Sequence, residues 1–374
     1  MPGILIISPM FAPQRGGLPD HTEGLARSLA DRWPTTLLTS KGADAAARSF
    51  KVAGSVEDWQ DDQGLVAKVR ELHTTGPIIW QYVPHMYGRG GVNLRLSKAM
   101  AELRRSGYRQ LVIAHEVAAP LSPLPHRLLY ALAHRRQWRA ICRQADVVGI
   151  SSEAVRQVWC PPGLKDCPRN LVLASPSNIP VVRIEANSRQ QLLMDSGWPA
   201  DTILLCYFGT ADVSRRFAWV LEAWRKARRI DPRVALAVIG DNPAIGPPHA
   251  SGFRGLGFVS REEASGWLQG TDLLLLPFVD GVSEKRTTFM AGLGHGCPIL
   301  TTRGHNTGPT LRQAKFFASV EATDREGFSE AVVGLLAKNS DRERLRTLAK
   351  GAYAQAYDWP VLVGHIADEL ALAK

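Results

Sequence analysis

Pro277 to Thr302 reads PFVDGVSEKRTTFMAGLGHGCPILTT, and it follows the apolar run Leu273-Leu274-Leu275-Leu276. A short leucine run between polar residues reads as a strand buried on both faces. The polar stretch after it predicts a loop, then a short helix from about Thr287. Gly296 ends that helix, and a second apolar strand follows around Ile299-Leu300. Strand, loop and helix start, in that order, form an anion site. The free N–H groups and the dipole of the first turn both point into the loop. Lys285 and Arg286 place two cations just before that turn, and Thr287 and Thr288 add hydroxyl donors. With Asp280, Ser283 and Glu284 they form the most specific polar cluster in the chain. A diphosphate is the guest that suits it.

The same strand–helix alternation runs outward in both directions. Short apolar strands are expected at Ile4–Ile7, Thr36–Thr39, Ile78–Tyr82, Leu111–Ala114 and Val147–Ile150. Between them, helical spacing marks Leu18 to Leu29, Trp59 to Leu72, Val92 to Arg105 and Pro125 to Arg143. Ser151-Ser152-Glu153 reads as a capped helix start. Pro161 to Asn187 is rich in Pro, Ser and Asn and reads as a linker. A second series then begins, with strands at Ile203–Phe208, Val234–Ile239, Gly255–Val259 and Asp272–Leu276. Helices are expected at Phe217–Arg229 and Arg261–Gln269. Two such series predict an α/β protein of two doubly wound, parallel-sheet domains, split at 187/188. Ligands of open α/β sheets bind beyond the carboxyl ends of the strands. The loops 8–17, 115–124, 209–216, 240–254 and 277–286 are therefore expected to line one cleft.

A chain of 374 residues, 45% hydrophobic and 21% charged, can bury two sizeable cores and is not a disordered sequence. Its apolar runs fall short of the roughly 20 residues of a membrane span. The start MPGILIISP enters a strand pattern without a basic leader, so no signal peptide is expected. Five scattered cysteines then read as reduced thiols of a cytoplasmic protein, and the Cys160–Cys167 spacing matches no zinc pattern. The net charge of +10 suits a nucleotide diphosphate, an anionic lipid surface or nucleic acid, and no motif favours the last. Much of the excess lies on helices, as in Arg135-Arg136-Gln137-Trp138-Arg139 and Arg225-Lys226-Ala227-Arg228-Arg229. A solvated face and contact with a membrane leaflet are both open readings of these runs.

Three further places carry candidate chemistry. In Pro13-Gln14-Arg15-Gly16-Gly17, paired glycines let backbone approach a ligand, and His21 follows one turn later. His115-Glu116 stands at a strand's carboxyl end, where an imidazole can bond a sugar hydroxyl or hold a proton near neutral pH. Gly209 to Arg216, GTADVSRR, frees a turn and supplies Arg215 and Arg216 as cations for a diphosphate.

In order and spacing, these segments resemble the bacterial glycosyltransferases of the GT-B fold, in the large retaining group that uses nucleotide-activated sugars. The resemblance covers nearly the whole chain. It rests on Gly16-Gly17 with His21, WQYVPHMYG (80–88), LVIAHE (111–116), GLGFVSREEASGWLQGTDLLLLPF (255–278) and AGLGHGCPILTT (291–302). From Asp358-Trp359-Pro360 onward, the chain resembles the family's terminal helix, which returns to the first domain. The resemblance implies an acceptor-binding domain at 1–187, a domain for a UDP- or GDP-sugar at 188–357, and a returning helix at 358–374. It implies transfer of the sugar to an acceptor hydroxyl of a glycan, a lipid-linked intermediate or a small molecule. The charge on the leaving diphosphate is met by cations and backbone N–H groups with no metal, and the chain has no Asp-x-Asp motif. No cofactor beyond the sugar donor is implied. The place of work is the cytoplasm or the inner face of the cell membrane.

Carried onto this chain, the resemblance gives His115, Arg215 and Arg286 catalytic roles. Arg215 takes the place of the family's phosphate-binding Lys, and Thr210 stands where an Arg is common. Donor binding falls to Gly16, Gly17, Gly209, Thr210, Arg216, Phe258, Val259, Asp280, Ser283, Glu284, Lys285, Thr287 and Thr288, with the base near Gly257-Phe258-Val259. His21 and Glu116 are assigned to the acceptor. The chain departs from the pattern at Ser283 and Ala291, where relatives carry paired glutamates for the sugar and the ribose. Glu284 and Asp280 are the nearest acidic substitutes. Because that pair is missing, two other readings stay open: a sugar-nucleotide epimerase or hydrolase on the same fold, and a non-catalytic nucleotide-binding scaffold.

Overall fold

The computed structural model describes residues 3–14, 16–44, 46, 48–73, 76–160, 167–183, 188–240 and 251–372. Arg15 and parts of the 161–187 and 240–254 stretches lie outside the described residues. Contacts divide the chain into two units, Met1–Ala174 with Trp359–Lys374, and Ser175–Asp358. The division comes earlier than the 187/188 boundary expected from composition. Its cause is local: the Ser175 N–H donates to the Glu284 carbonyl at 3.0 Å, and the Ser177 N–H donates to the Tyr353 hydroxyl at 3.0 Å.

Unit 1 contains the strands β1 (Ile4–Ile7), β2 (Thr35–Ser40), β3 (Lys51–Val56), β4 (Ile78–Tyr82), β5 (Gln110–Ala114), β6 (Val147–Ile150) and β7 (Arg169–Val172). They pair in parallel in the order β3-β2-β1-β4-β5-β6-β7. Period-two alternation sends Leu5, Ile7, Ile78 and Trp80 into one core, and Ile4, Ile6, Ile79 and Leu111 into the other. The second core includes Leu362, Val363, Ile366 and Leu370 of the helix Trp359–Leu370. Arg109 fixes the end of that helix by donating to the Leu370 and Glu369 carbonyls at 3.0 and 3.1 Å.

Unit 2 repeats the plan with β8 (Ile203–Phe208), β9 (Val234–Ile239), β10 (Phe253–Gly257), β11 (Leu273–Leu276), β12 (Ile299–Arg303) and β13 (Ala318–Glu321). Their order is β10-β9-β8-β11-β12-β13, again parallel. Leu205, Tyr207, Leu236, Val238, Leu273 and Leu275 pack with Trp219, Trp224 and Phe328 from the covering helices. Strand order reverses between β1 and β4 in unit 1, and between β8 and β11 in unit 2. Such switch points are where doubly wound sheets open a crevice for ligands.

Two local expectations are corrected. Ser152 occupies the N-cap of the helix Glu153–Trp159, but its hydroxyl makes no capping bond and is buried without a partner among the described residues. Cys160 and Cys167 are joined as a disulfide, where five reduced thiols were expected. The buried Cys142 lies beside them, with the three sulfurs within 4.8 Å of one another. Among the described residues, no helix is long and apolar enough to cross a membrane.

Candidate active site

In unit 2 the switch point gathers a pair of arginines. Arg215 follows β8 in a turn held by Asp212, which accepts from the Ser214 N–H at 2.7 Å and from the Thr210 hydroxyl at 2.8 Å. Arg215 pairs as an isolated bridge with Phe278, just past β11. Its guanidinium lies over the Phe278 ring at 4.4 Å, and that of Arg286 lies over the same ring at 4.7 Å. A buried aromatic face thus seats two arginines of like charge. Arg215 also donates to the Thr288 hydroxyl, at 3.2 and 3.3 Å from its two terminal nitrogens. Thr288 lies in the first turn of the helix Thr287–Gly294, where N–H groups have no acceptor within the helix.

Burial lowers the Arg215 guanidinium below its ordinary pKa, and the Arg286 charge pushes the same way. Arg215 nonetheless remains a cation at any ordinary pH. Arg286 is paired with Asp280, which is fixed in turn by the Asn306 side-chain amide at 2.6 Å. The Nε atoms of Arg215 and Arg286 are buried with no hydrogen-bond partner among the described residues. Two cations with unspent donors thus lie together beside a helix N-terminus.

The other residues assigned to the donor divide. Gly209 touches the cluster, since a β-carbon there would meet the Arg215 guanidinium at 3.2 Å and Thr288 at 3.3 Å. Lys285 and Thr287 are half-buried beside it. Glu284 is buried, with its carbonyl bound to Ser175. Ser283 is fully buried, and its hydroxyl has no partner among the described residues. Arg216 does not join the pair: its guanidinium lies over Trp219 at 4.7 Å. Phe258 follows β10 with 75% of its surface exposed, an aromatic face open to stacking, and Val259 beside it is half-buried.

In unit 1 the switch point gathers two imidazoles and an amide. His21, in the helix Gly17–Ala30, packs edge-on to His115 at 4.6 Å between ring centroids, and His115 directly follows β5. Gln81 of β4 lies between them, its oxygen 2.6 Å from His115 Nε2 and its nitrogen 3.4 Å from His21 Nδ1. The amide fixes the tautomers. Its oxygen only accepts, so His115 Nε2 carries a proton, while its nitrogen only donates, so His21 Nδ1 accepts. Burial, and then the His115 charge, lower the His21 pKa well below the usual imidazole value. Its Nε2 is buried with no partner among the described residues. Trp359 closes the cluster at 5.4 Å from His21, over Gly24, where a β-carbon would strike the indole. Gly16 and Gly17 stand at the start of the same helix, and Glu116 is exposed outside the cluster.

Sequence reasoning missed Gln81, Phe278, Asn306 and the role of Trp359. Gln81 had a signal: it is the one amide side chain in Ile78–Tyr82, with a donor and an acceptor on separate atoms. Phe278 had a weaker one, an aromatic directly after a leucine strand and a proline.

No family model and no curated protein matches this sequence. Solved structures do match it, end to end. A sucrose-phosphate synthase from Thermosynechococcus elongatus aligns with a TM-score of 0.73 at 13% identity, covering 100% of both chains. Anabaena HepE, solved in complex with UDP and glucose, aligns with a TM-score of 0.72 at 13% identity, again over 100% of both. WaaG, a glycosyltransferase involved in lipopolysaccharide biosynthesis, aligns with a TM-score of 0.66 at 15% identity over 99% of this chain and 100% of its own. With two parallel sheets wound in the same order and full-length counterparts of this class, the chain has the GT-B fold.

Proposed function

We propose that the protein is a glycosyltransferase that moves a hexosyl group from a UDP- or GDP-sugar to an acceptor hydroxyl, with retention and without a metal. One observation carries the reading: Arg215 and Arg286 share the Phe278 ring, beside the first turn of Thr287–Gly294, at the β8/β11 switch point. In the proposed reaction, the bond from the anomeric carbon to the diphosphate breaks as the bond to the acceptor oxygen forms. The acceptor proton leaves with the nucleoside diphosphate. Arg215, Arg286 and the N–H groups of the first turn stabilise the charge on the departing diphosphate. Retention requires the acceptor oxygen to take the face that the diphosphate vacates. We assign the base to the stretch around Phe258 and Val259. His115 bonds a hydroxyl of the transferred sugar through a tautomer set by Gln81. Anabaena HepE, which shares the fold, has also been solved in complex with UDP-glucose, and this supports a UDP-sugar. The acceptor class is a glycan, a lipid-linked intermediate or a small molecule, met at the inner face of the membrane or in the cytoplasm.

The test is a thermal-shift screen of UDP, GDP and their sugars, followed by titration calorimetry. A ligand at 100 times its dissociation constant raises stability by about 2.7 kcal/mol. Activity with an acceptor should survive a chelator. Incubation with the donor alone should leave it intact; a free or epimerised sugar would favour the epimerase reading. Binding without turnover over a broad acceptor panel would favour the scaffold. Unchanged nucleotide affinity in both Arg215→Ala and Arg286→Ala would reject the site.

A further inference from the structure

The helix Pro125–Cys142 of unit 1 has a face that its own unit does not cover. Ala131, His134, Gln137, Trp138, Ile141 and Cys142 point inward. The opposite stripe runs Leu129, Leu132, Arg136, Arg139, Arg143, at steps of three and four residues, and every member is exposed. Its composition changes along the axis rather than around it. Leu129 and Leu132 are 68% and 50% exposed, and Leu128 and Tyr130 beside them are also open. Leu121 (61% exposed) and Leu124 extend the apolar end into the preceding loop. A monomeric soluble surface seldom gathers this many large apolar side chains in so short a span. Beyond Leu132 the stripe turns cationic. At about 1.5 Å per residue, Arg136 stands about 10 Å from Leu129. From Val117 to Ala145 the chain has five arginines and no Asp or Glu. Of these, Arg135 turns back onto the Ala119 and Ala131 carbonyls and the Trp159 ring, while Arg127, Arg136 and Arg139 stay exposed.

We infer that this end of unit 1 docks on an anionic lipid bilayer. The loop Leu121–Leu124 and the first turns of the helix enter the interface, and Arg136 and Arg139 bind headgroup phosphates. An apolar tip followed by a cationic shaft matches the depth profile of such a leaflet, acyl boundary first and phosphate above it. A protein partner would need acidic residues spaced to match the arginines, whereas a bilayer supplies phosphate at any spacing. The surface lies outside the residues assigned to nucleotide binding, so this inference and the proposed function can fail separately.

The test is co-sedimentation of the full chain with phosphatidylcholine vesicles, with and without phosphatidylglycerol, alongside UDP binding. The protein should pellet with the phosphatidylglycerol vesicles, stay in solution with phosphatidylcholine alone, and be released by high salt. Arg136→Gln with Arg139→Gln should weaken vesicle binding about thirtyfold. Leu129→Asn with Leu132→Asn should weaken it at low salt too. Both double variants should keep the parent's unfolding temperature and UDP affinity, because the changed side chains are exposed. No pelleting, equal pelleting with both lipids, or parental binding by both variants would overturn the inference. So would a lipid-free dimer that the leucine substitutions dissolve, because the face would then belong to a second copy.

Discussion

At the reversal between β1 and β4, unit 1 gathers His21, Gln81 and His115. At the equivalent reversal between β8 and β11, unit 2 gathers Arg215, Arg286 and Thr288. Strand order fixes where each crevice opens, and the buried side chains decide what it holds. Burial disfavours the charged form of the His21 imidazole, whose pKa starts near neutrality. The same desolvation acts on Arg215 but starts several pH units higher, so the unit 2 site keeps its charge. One fold plan thus sets an imidazole–amide cluster at one reversal and a guanidinium pair at the other.

The strongest way to break this contrast is to remove one arginine. Arg215→Ala and Arg286→Ala should each weaken UDP binding by about 1.5–3 kcal/mol, read by calorimetry, the worth of a hydrogen bond to a charged group. His115→Ala should leave UDP affinity unchanged and lower turnover. Equal losses of UDP affinity in all three would erase the division of labour. Next come the glycines, one in each unit. Gly240 has φ +122°, and a β-carbon there would strike the Gly209 carbonyl; Gly24 leaves room for the Trp359 indole. Gly240→Ala should destabilise unit 2, and Gly24→Ala unit 1, each by about 1–3 kcal/mol in urea unfolding followed by hydrogen exchange.

Acid should sharpen the contrast further. His21 has a folded pKa below its unfolded value of about 6.5, so the unfolded chain binds a proton that the folded chain refuses. Its stabilising effect is full above pH 6.5 and falls as the pH drops from there toward the folded pKa. The slope approaches about 1.4 kcal/mol per pH unit for this group. His73 and His134 are lowered in unit 1, against His295 in unit 2, so unit 1 should lose protection first. His21→Gln should reduce the drop in urea midpoint between pH 7 and 5.5. The smallest effect is expected at Phe278→Leu, which keeps the core filled but removes the face under both arginines. It should weaken UDP binding by about 0.5–2 kcal/mol, measured in the same titration.

The strands read most sharply from the sequence are those buried along most or all of their length, whereas the edge strand β10 was expected at Gly255–Val259 and lies at Phe253–Gly257. Leu273–Leu276, Val234–Ile239 and Ile203–Phe208 are continuous apolar runs, and their boundaries were read to within a residue. The strands it hid, β3, β7 and β13, lie at sheet edges and are half-exposed, so KVAGSV, RNLV and ASVE carry no apolar run. The candidate site followed the same logic. Arg215, Arg286 and Thr288 were legible because each lies in a loop after a strong strand. Gln81 was not, because one amide inside IIWQY gains meaning only once His21 and His115 arrive on either side. Trp359 was invisible as a partner of His21, since more than 300 residues of chain separate them.

The terminal helix carries a consequence for biosynthesis. Leu362, Val363, Ile366 and Leu370 fill one core of unit 1, yet the ribosome makes them only after the whole of unit 2, roughly 180 residues later. At roughly 5–20 residues per second, a nascent chain waits about ten to forty seconds with that apolar face open. During this interval chaperones have their natural substrate, and a messenger truncated before Trp359 would yield a product that exposes the same face permanently.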